Sequence, residues 1–343
     1  MKILYGVQGT GNGHLSRARM MAQHLRAADI DVTYLFSGRA RERYFDMEAF
    51  GEFLCLRGFT FAVKSGTVNT LSTVLANNVF QFIADVRRLD VSPYDLIVTD
   101  FEPVTAWAGR LQKKKVIGVG HQYAFAHDVP MEGDGPVARF LLQYFAPVDL
   151  GFGLHWSDFG QNILPPIINP ALQRIPGPAN KIVVYLPFED QAIITDLLHQ
   201  IGNFDFFQYA PDLVDTDVGN VKLRKTCHDG FKRDLCTASA VICNAGFELV
   251  SECIHLGHRV LVKPLKNQME QLSNARAITE LNLGQRMDTL NVECIRDWLH
   301  SCSDHAADNA VGYPDVAKSI CAWLVSEAPS GIEDLSRELW RRP

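Results

Sequence analysis

The stretch Lys2-Ile3-Leu4-Tyr5-Gly6-Val7-Gln8-Gly9-Thr10-Gly11-Asn12-Gly13-His14 decides the fold. Its first part, Lys2 to Val7, is a short apolar run with the composition of a buried strand, and the glycines from Gly9 onward end it. Beyond His14, the apolar positions Leu15, Ala18, Ala22 and Leu25 fall on one face of a helix. A strand that turns through glycines into a helix is the opening unit of an α/β sheet. Such glycines let the backbone approach a ligand at the carboxyl end of the strands, where open α/β folds bind.

Outward from this unit, short β-branched and aromatic runs alternate with amphipathic helical stretches, as expected of βαβ units around a parallel sheet covered on both faces. Strands are predicted at Lys2–Val7, Asp31–Ser37, Tyr94–Thr99, Lys115–Gly120 and Leu150–Leu154. The pattern then restarts, with strands predicted at Lys181–Leu186, Phe204–Tyr209, Val241–Asn244 and Arg259–Lys263. Between the two sets lies Leu164-Pro165-Pro166-Ile167 through Pro176-Gly177-Pro178, where neither helix nor sheet continues and a linker is expected. With 343 residues the chain exceeds what one core usually organises, so two Rossmann-like domains are expected, 1–170 and 178–329. The tail, 330–343, carries Ile332, Leu335 and Leu339 at helical spacing.

A composition of 47% hydrophobic and 21% charged residues is that of an ordinary globular protein and excludes a disordered chain. A formal net charge of -6, with only the short basic run Lys113 to Lys115, argues against nucleic acid as a partner. No long apolar span or signal peptide is apparent, and a cytoplasmic protein is expected. Leu71, Leu75, Val79, Phe82, Val86 and Leu89 mark an amphipathic helix, and Phe140, Tyr144 and Phe145 cluster further on. Core packing and peripheral contact with the inner face of a membrane both remain open for these stripes. Eight cysteines are scattered without C-x-x-C or paired histidine spacing, so neither zinc nor a disulfide framework is signalled.

His14 stands in the first turn of its helix beside the glycine loop, where a near-neutral imidazole can abstract a proton from an acceptor hydroxyl, or simply hold the loop or a phosphate. A base of this kind needs an orienting carboxylate. Asp100-Phe101-Glu102-Pro103 closes a predicted strand of the same sheet, so Asp100 or Glu102 could orient His14 or act as the base. Asp100 could instead cap the helix beginning near Pro103. His121 ends the next strand at the same edge. A dinucleotide fingerprint fits poorly, because after Gly9 and Gly11 the third glycine arrives one residue early, although Arg39 could suit a 2′-phosphate.

In the second half, Asn244-Ala245-Gly246-Phe247-Glu248-Leu249-Val250-Ser251-Glu252 is a strand turning at a glycine into a helix, whose free N–H groups form an anion site for a diphosphate. Glu248 and Glu252 share one helix face, and a carboxylate there can accept hydrogen bonds from a ribose diol. Gln268, Gln271 and Asn274 recur every three residues, which would present amides to a sugar's hydroxyls. Positive charge for a leaving diphosphate would come from the helix N-terminus, with Arg17 or Lys263 as candidates. Asp215-Thr216-Asp217 spells a D-x-D but lies in a polar stretch, and no metal site is expected.

Four segments carry a family resemblance: Gly9 through Arg17, Asp100-Phe101-Glu102-Pro103, Leu186-Pro187-Phe188-Glu189, and Gly246 through Ala275. In them the chain resembles the uncharacterised microbial glycosyltransferases related to MurG, a group related to glycosyltransferase family 28. The resemblance implies a GT-B fold with two Rossmann-like domains facing across a cleft, and a last helix crossing back to the first domain. It implies an inverting, metal-independent transfer from a nucleotide-sugar donor, UDP-linked by analogy, with no cofactor. Gly11, Asn12, Gly13 and Arg17 would line the diphosphate or acceptor side. Gly246, Phe247, Glu248, Ser251, Gln268, Glu270 and Asn274 would line the donor side, with Glu252 on the ribose and Gln271 on the sugar. Glu270 stands where MurG carries a second glutamine, so the donor sugar does not carry over, and the acceptor is open among glycan, lipid and small molecule. A nucleotide-sugar 2-epimerase of the same fold and a non-catalytic nucleotide-sugar-binding protein are the alternatives.

Overall fold

The computed structural model describes residues 1–59, 63–64, 67–68, 78–301, 310–326 and 331–341. Leu71 and Leu75 of the amphipathic stripe, Cys302 and both ends of the tail lie outside the described residues.

The first half contains β1 (Lys2–Gln8), β2 (Asp31–Ser37), β3 (Phe53–Leu56), a small pair β4 (Val63–Lys64) and β5 (Thr67–Val68), then β6 (Leu96–Asp100), β7 (Val116–Gly120) and β8 (Leu150–Gly153). Its helices are α1 (Asn12–Ala27), α2 (Val79–Arg88), α3 (Pro103–Leu111) and α4 (Pro136–Tyr144). The sheet runs β3-β2-β1-β6-β7-β8, every pairing parallel. Strands β6 and β7 are buried at every position, because helices cover both faces of the sheet. Helix α1 buries Leu15, Ala18, Met21, Ala22 and Leu25, the face that its apolar spacing marks.

The second half repeats the plan with β9 (Lys181–Tyr185), β10 (Asp205–Ala210), β11 (Thr216–Val218), β12 (Val221–Lys225), β13 (Ala240–Asn244), β14 (Arg259–Lys263) and β15 (Gln285–Arg286). Between them run α5 (Gln191–His199), α6 (His228–Cys236), α7 (Phe247–His255), α8 (Met269–Glu280) and α9 (Val292–His300). The order is β11-β12-β10-β9-β13-β14-β15, parallel except for β11. Six strands of the two halves, β3, β4, β5, β11, β12 and β15, escape sequence reading. β3, β11 and β15 are short edge or next-to-edge pieces, and β12 carries Lys222, Arg224 and Lys225, charges that a strand beside an edge tolerates.

The proline-rich segment is not free along its whole length. Leu164 pairs with the end of β8, His155 N–H donating to Leu164 O at 2.9 Å and Leu164 N–H to Gly153 O at 2.8 Å. Ile163, Leu164, Ile167 and Ile168 are buried. This strap anchors the chain end: in α11 (Ile332–Trp340), Ser336 Oγ and Trp340 Nε1 each donate to Ile163 O at 2.7 Å, and α10 (Val316–Val325) packs on α1.

The carboxyl end of β8 leaves no room for a side chain. A Cβ on Gly153 would lie 2.7 Å from both the N and Cα of Ala124, backbone atoms in the 3₁₀ segment His121–Ala126 that follows β7. Gly153→Ala is therefore expected to cost about 1–3 kcal/mol of stability by urea unfolding, with the loss shared between the fold and the positions of residues 121–126.

Candidate active site

In each sheet the strand order reverses beside its first strand, between β1 and β6 and between β9 and β13, and ligand crevices form where such reversals open a gap at the carboxyl ends. In the first half that gap is bounded by the loop Gly9–Gly11 and by Asp100 at the end of β6, in register with Val7 of β1. Asp100 is fully buried. His14 Nδ1 lies 2.7 Å from its Oδ1, and Arg17, one helical turn further along α1, donates from Nε to Oδ2 at 2.8 Å and from Nη2 to Oδ1.

Arg17 Nη2 also lies 3.0 Å from His14 Nδ1. A guanidinium only donates, and an ionised carboxylate only accepts. Burial alone would raise the Asp100 carboxyl, but the Arg17 charge and His14 over-compensate and hold it below the usual range. The shorter contact, with an acceptor-only carboxylate, assigns the His14 Nδ1 proton to a bond donated to Asp100, and the 3.0 Å approach of Arg17 Nη2 to that nitrogen is then a close contact and not a hydrogen bond. His14 Nε2, which has no hydrogen-bond partner among the described residues, keeps a lone pair for a substrate proton.

Glu102 is placed differently from the expectation that it might serve as a base. It is the N-cap of α3, fully buried, with Oε1 accepting from Val104 N–H at 2.9 Å and Ser37 Oγ at 2.7 Å, and Oε2 accepting from Thr105 N–H and Oγ1, both at 2.7 Å. Four donors leave it no capacity for a substrate. Burial raises its pKa, with the Thr105, Ser37 and Val104 donors opposing. The cap that proline at N1 signals is thus Glu102, not Asp100. Between them Phe101 adopts a left-handed φ of 53°, strained for a bulky side chain, and packs its ring on Tyr123 and Phe145. That twist sends two nearby carboxylates to opposite tasks.

In the second half, α7 starts at Gly246 without any side-chain cap, and a Cβ on Gly246 would meet nothing within 4 Å. Gly11 across the gap is similarly open, its only neighbour being His14 Cδ2 at 3.9 Å. The N-terminus of α7 is thus uncapped by any side chain, and Gly246, which opens it, has open space on its Cβ side. Gly13, by contrast, packs against the other half: a Cβ there would come within 2.7 Å of Glu248 Cγ.

Several proposed ligand residues are already engaged. Arg17 is buried and neutralised, pairing with Asp100 and, across the gap, with Glu248, so it is not a cation awaiting a phosphate. Burial lowers the Arg17 pKa, but Asp100 and Glu248 raise it further. Burial, aided by Asp100 and Glu252 and opposed by Arg17, pushes the Glu248 carboxyl up to about 8. Lys263 pairs with Glu189 at 2.6 Å, and Glu252 accepts from Lys232. Ser251 Oγ donates to Phe247 O and accepts Trp156 Nε1, at 2.7 and 2.8 Å. Arg39 donates to Gly9 O and Asn12 Oδ1 and lies over the Tyr44 ring, bracing the loop from behind.

The amides do not form an open sugar-reading row. Gln268 caps α8, and Gln271 is buried with its Oε1 accepting Leu265 N–H at 3.0 Å. Asn274, fully buried, donates to Ala245 O at 2.9 Å and meets His121 Nε2 at 2.6 Å. A face that is periodic in sequence is here turned inward, because α8 packs that face against the α7 turn and the first half. His121 likewise has both nitrogens occupied, Nδ1 facing Leu154 O at 2.8 Å, and its ring stacks on Phe247 at 4.0 Å and 4°. Burial lowers its pKa.

Sequence reading misses Gln122, Trp156 and Lys232. Gln122 Nε2 donates to Glu270 Oε2 at 3.0 Å across the gap. A polar residue next to His121, two positions beyond the predicted strand Lys115–Gly120, was the available signal. Among the described residues no group of three or more His, Cys, Asp or Glu is assembled as a metal site, and Asp217 of the D-x-D pairs with Arg224 and Lys222 in the edge ribbon. No described helix is long and apolar enough to cross a membrane. Val79, Phe80 and Ile83 of α2 and Val137, Phe140 and Tyr144 of α4 are exposed.

A family model described as glycosyl transferase family 1 matches residues 1–143 and 155–302. The chain belongs to that family. No curated protein matches it in sequence. Among solved structures it is similar to the glycosyltransferase SnogD from Streptomyces nogalater, at 16% identity, 98% coverage of each chain and a TM-score of 0.55. It is also similar to Acinetobacter baumannii MurG (12%, 99% of each chain, 0.58) and to a UDP-N-acetylglucosamine 2-epimerase homologue, described as putative, from Listeria monocytogenes (12%, 96% of this chain and 99% of that one, 0.62). The two parallel sheets and these likenesses make the fold GT-B.

Two outcomes follow for the family member's buried acids. Glu102→Ala removes a cap and orphans buried donors, and should cost ~2–3 kcal/mol in urea unfolding while leaving nucleotide binding intact. Glu248 has a folded pKa raised above its unfolded value, so the stability it contributes is full at low pH and is lost as pH rises toward 8. Unfolding free energy measured from pH 5 to 9 should therefore decline less steeply in Glu248→Gln than in the parent.

Proposed function

We propose that this family 1 member transfers a sugar from a nucleotide-sugar, UDP-linked, to a hydroxyl acceptor, with inversion and without a metal. The observation that carries the reading is the His14–Asp100 pair, its Nε2 free, at the edge of a gap bordered on its far side by the uncapped N-terminus of α7. His14 Nε2 takes the acceptor's proton as its oxygen attacks the anomeric carbon; the bond to the diphosphate breaks, and charge on the departing group is met by the α7 N–H groups. Asp100 keeps the imidazole in the required tautomer and stabilises the imidazolium that forms. Glu252, oriented by Lys232, is the ribose contact, and Glu270 faces the sugar.

With Arg17 and Lys263 both neutralised, the helix N-terminus carries most of the phosphate recognition in this reading. Exposed Phe80 and Phe140 support an acceptor with an apolar portion, or peripheral membrane contact, for a chain acting in the cytoplasm. The similarity to a MurG structure supports a family 28-related donor side. A 2-epimerase is the second reading, favoured by the Listeria likeness. It requires no acceptor and keeps the nucleotide on its product, so nucleotide release that appears only on adding acceptor would set it aside, and a C2-epimerised nucleotide-sugar formed without acceptor would favour it.

Calorimetry with UDP and UDP-sugars provides the test. Glu252→Ala should lose at least tenfold in affinity for both. His14→Ala should bind UDP as the parent does yet lose 10²-fold or more in transfer rate, a proton-transfer contribution of usual size. Turnover at parental rate in His14→Ala would remove the assigned base.

A further inference from the structure

Gln122 is only 7% exposed, and its Oε1 is buried without a hydrogen-bond partner. Buried side-chain oxygens are rarely left so, and this one cannot be explained by an interchanged amide. Gln122 Nε2 donates to the Glu270 carboxylate at 3.0 Å, and turning the amide over would set its oxygen against that carboxylate. Glu270 therefore fixes the amide with its NH2 toward the second half and its carbonyl oxygen turned the other way, beside Gly120. Three groups crowd the point above Gly120 where a Cβ would sit. Gln122 Oε1, Asp100 Oδ1 and Arg17 Nη2 stand 3.2, 3.4 and 3.5 Å from it. Asp100 and Arg17 are the groups that hold His14, so the orphan acceptor converges on the same edge as the base.

We propose that Gln122 is a specificity residue supplied by the first half, whose Oε1 accepts a hydrogen bond from a hydroxyl of the transferred sugar while Glu270 holds the amide in that orientation. The inference rests on the nucleotide-sugar reading above and adds the group that reads the sugar from the side opposite the nucleotide. The chemistry selects the ligand class. A fixed carbonyl oxygen beside a carboxylate recognises neutral hydroxyl donors and repels phosphate, so the occupant is a hexopyranose with a free hydroxyl at that position. It further requires that the two halves be together before the sugar is read, since the amide belongs to one and its orienting acid to the other.

The test is calorimetric titration of the parent, Gln122→Met and Glu270→Gln with UDP, UDP-glucose, UDP-galactose and UDP-N-acetylglucosamine. Methionine keeps the volume and removes the acceptor. For the sugar nucleotide that the parent binds best, Gln122→Met should weaken binding about tenfold, the loss expected of one hydrogen bond from a buried acceptor, with UDP unchanged. Glu270→Gln frees the amide to turn, and should narrow the differences among the three sugar nucleotides, again with UDP unchanged. Equal weakening of UDP and UDP-sugar in Gln122→Met, or no weakening of either, would overturn the proposal. A fall in its thermal midpoint without a sugar-specific loss would do so too. If the parent binds UDP but gains nothing from any sugar, this inference fails while the nucleotide reading stands; if it binds none of the four probes, the proposed function fails and takes this inference with it.

Discussion

The structure turns on one buried carboxylate. Asp100 has no exposure and two cationic or potentially cationic partners, and such a group is tolerated in a core only when paired and hydrogen-bonded. Arg17 supplies that pairing, and because its other face reaches Glu248, the charge that keeps Asp100 ionised also ties α1 to α7. The tautomer of His14, the meeting of the two halves and the position of the α7 N-terminus are thus three results of a single electrostatic arrangement. Removing Arg17 would disturb all three together.

Around this ion network the gap is closed by contacts of another kind. His121 stacks on Phe247, and Trp156 reaches Ser251. Glu132 forks onto Arg286 at 2.6 and 2.8 Å. His121 and Phe247 stand where a strand ends and a helix starts, and Arg286 ends β15.

The repeated Rossmann plan was legible because parallel strands buried on both faces are short, mostly apolar runs, as in β1 and β13, and glycine turns follow them at Gly9 and Gly246. His14 and Asp100 were legible too, since each sits at a strand end or first helical turn, where geometry follows directly from the local pattern. What could not be read was partnership across the gap. Ser251 and Asn274 look like ligand residues by spacing, yet they bond to protein, and Arg17 and Lys263 look like free cations because Glu248 and Glu189 are distant in sequence. Glu102 and Asp100 stand two residues apart, and only the left-handed backbone at Phe101 decides which one caps the helix. Sequence period reports which side of an element a residue occupies, not whether that side meets solvent or another element.

Gly13 brings out a consequence of this geometry. Its missing side chain leaves 2.7 Å between the Cβ position and Glu248 Cγ, so it sets the clearance at which the lobes can mate. A glycine that motif logic assigns to the ligand is at the same time a spacer between protein surfaces. In the proposed reading, access for the ligand and docking of the lobes therefore meet at one atom-sized gap, and neither can be altered without disturbing the other.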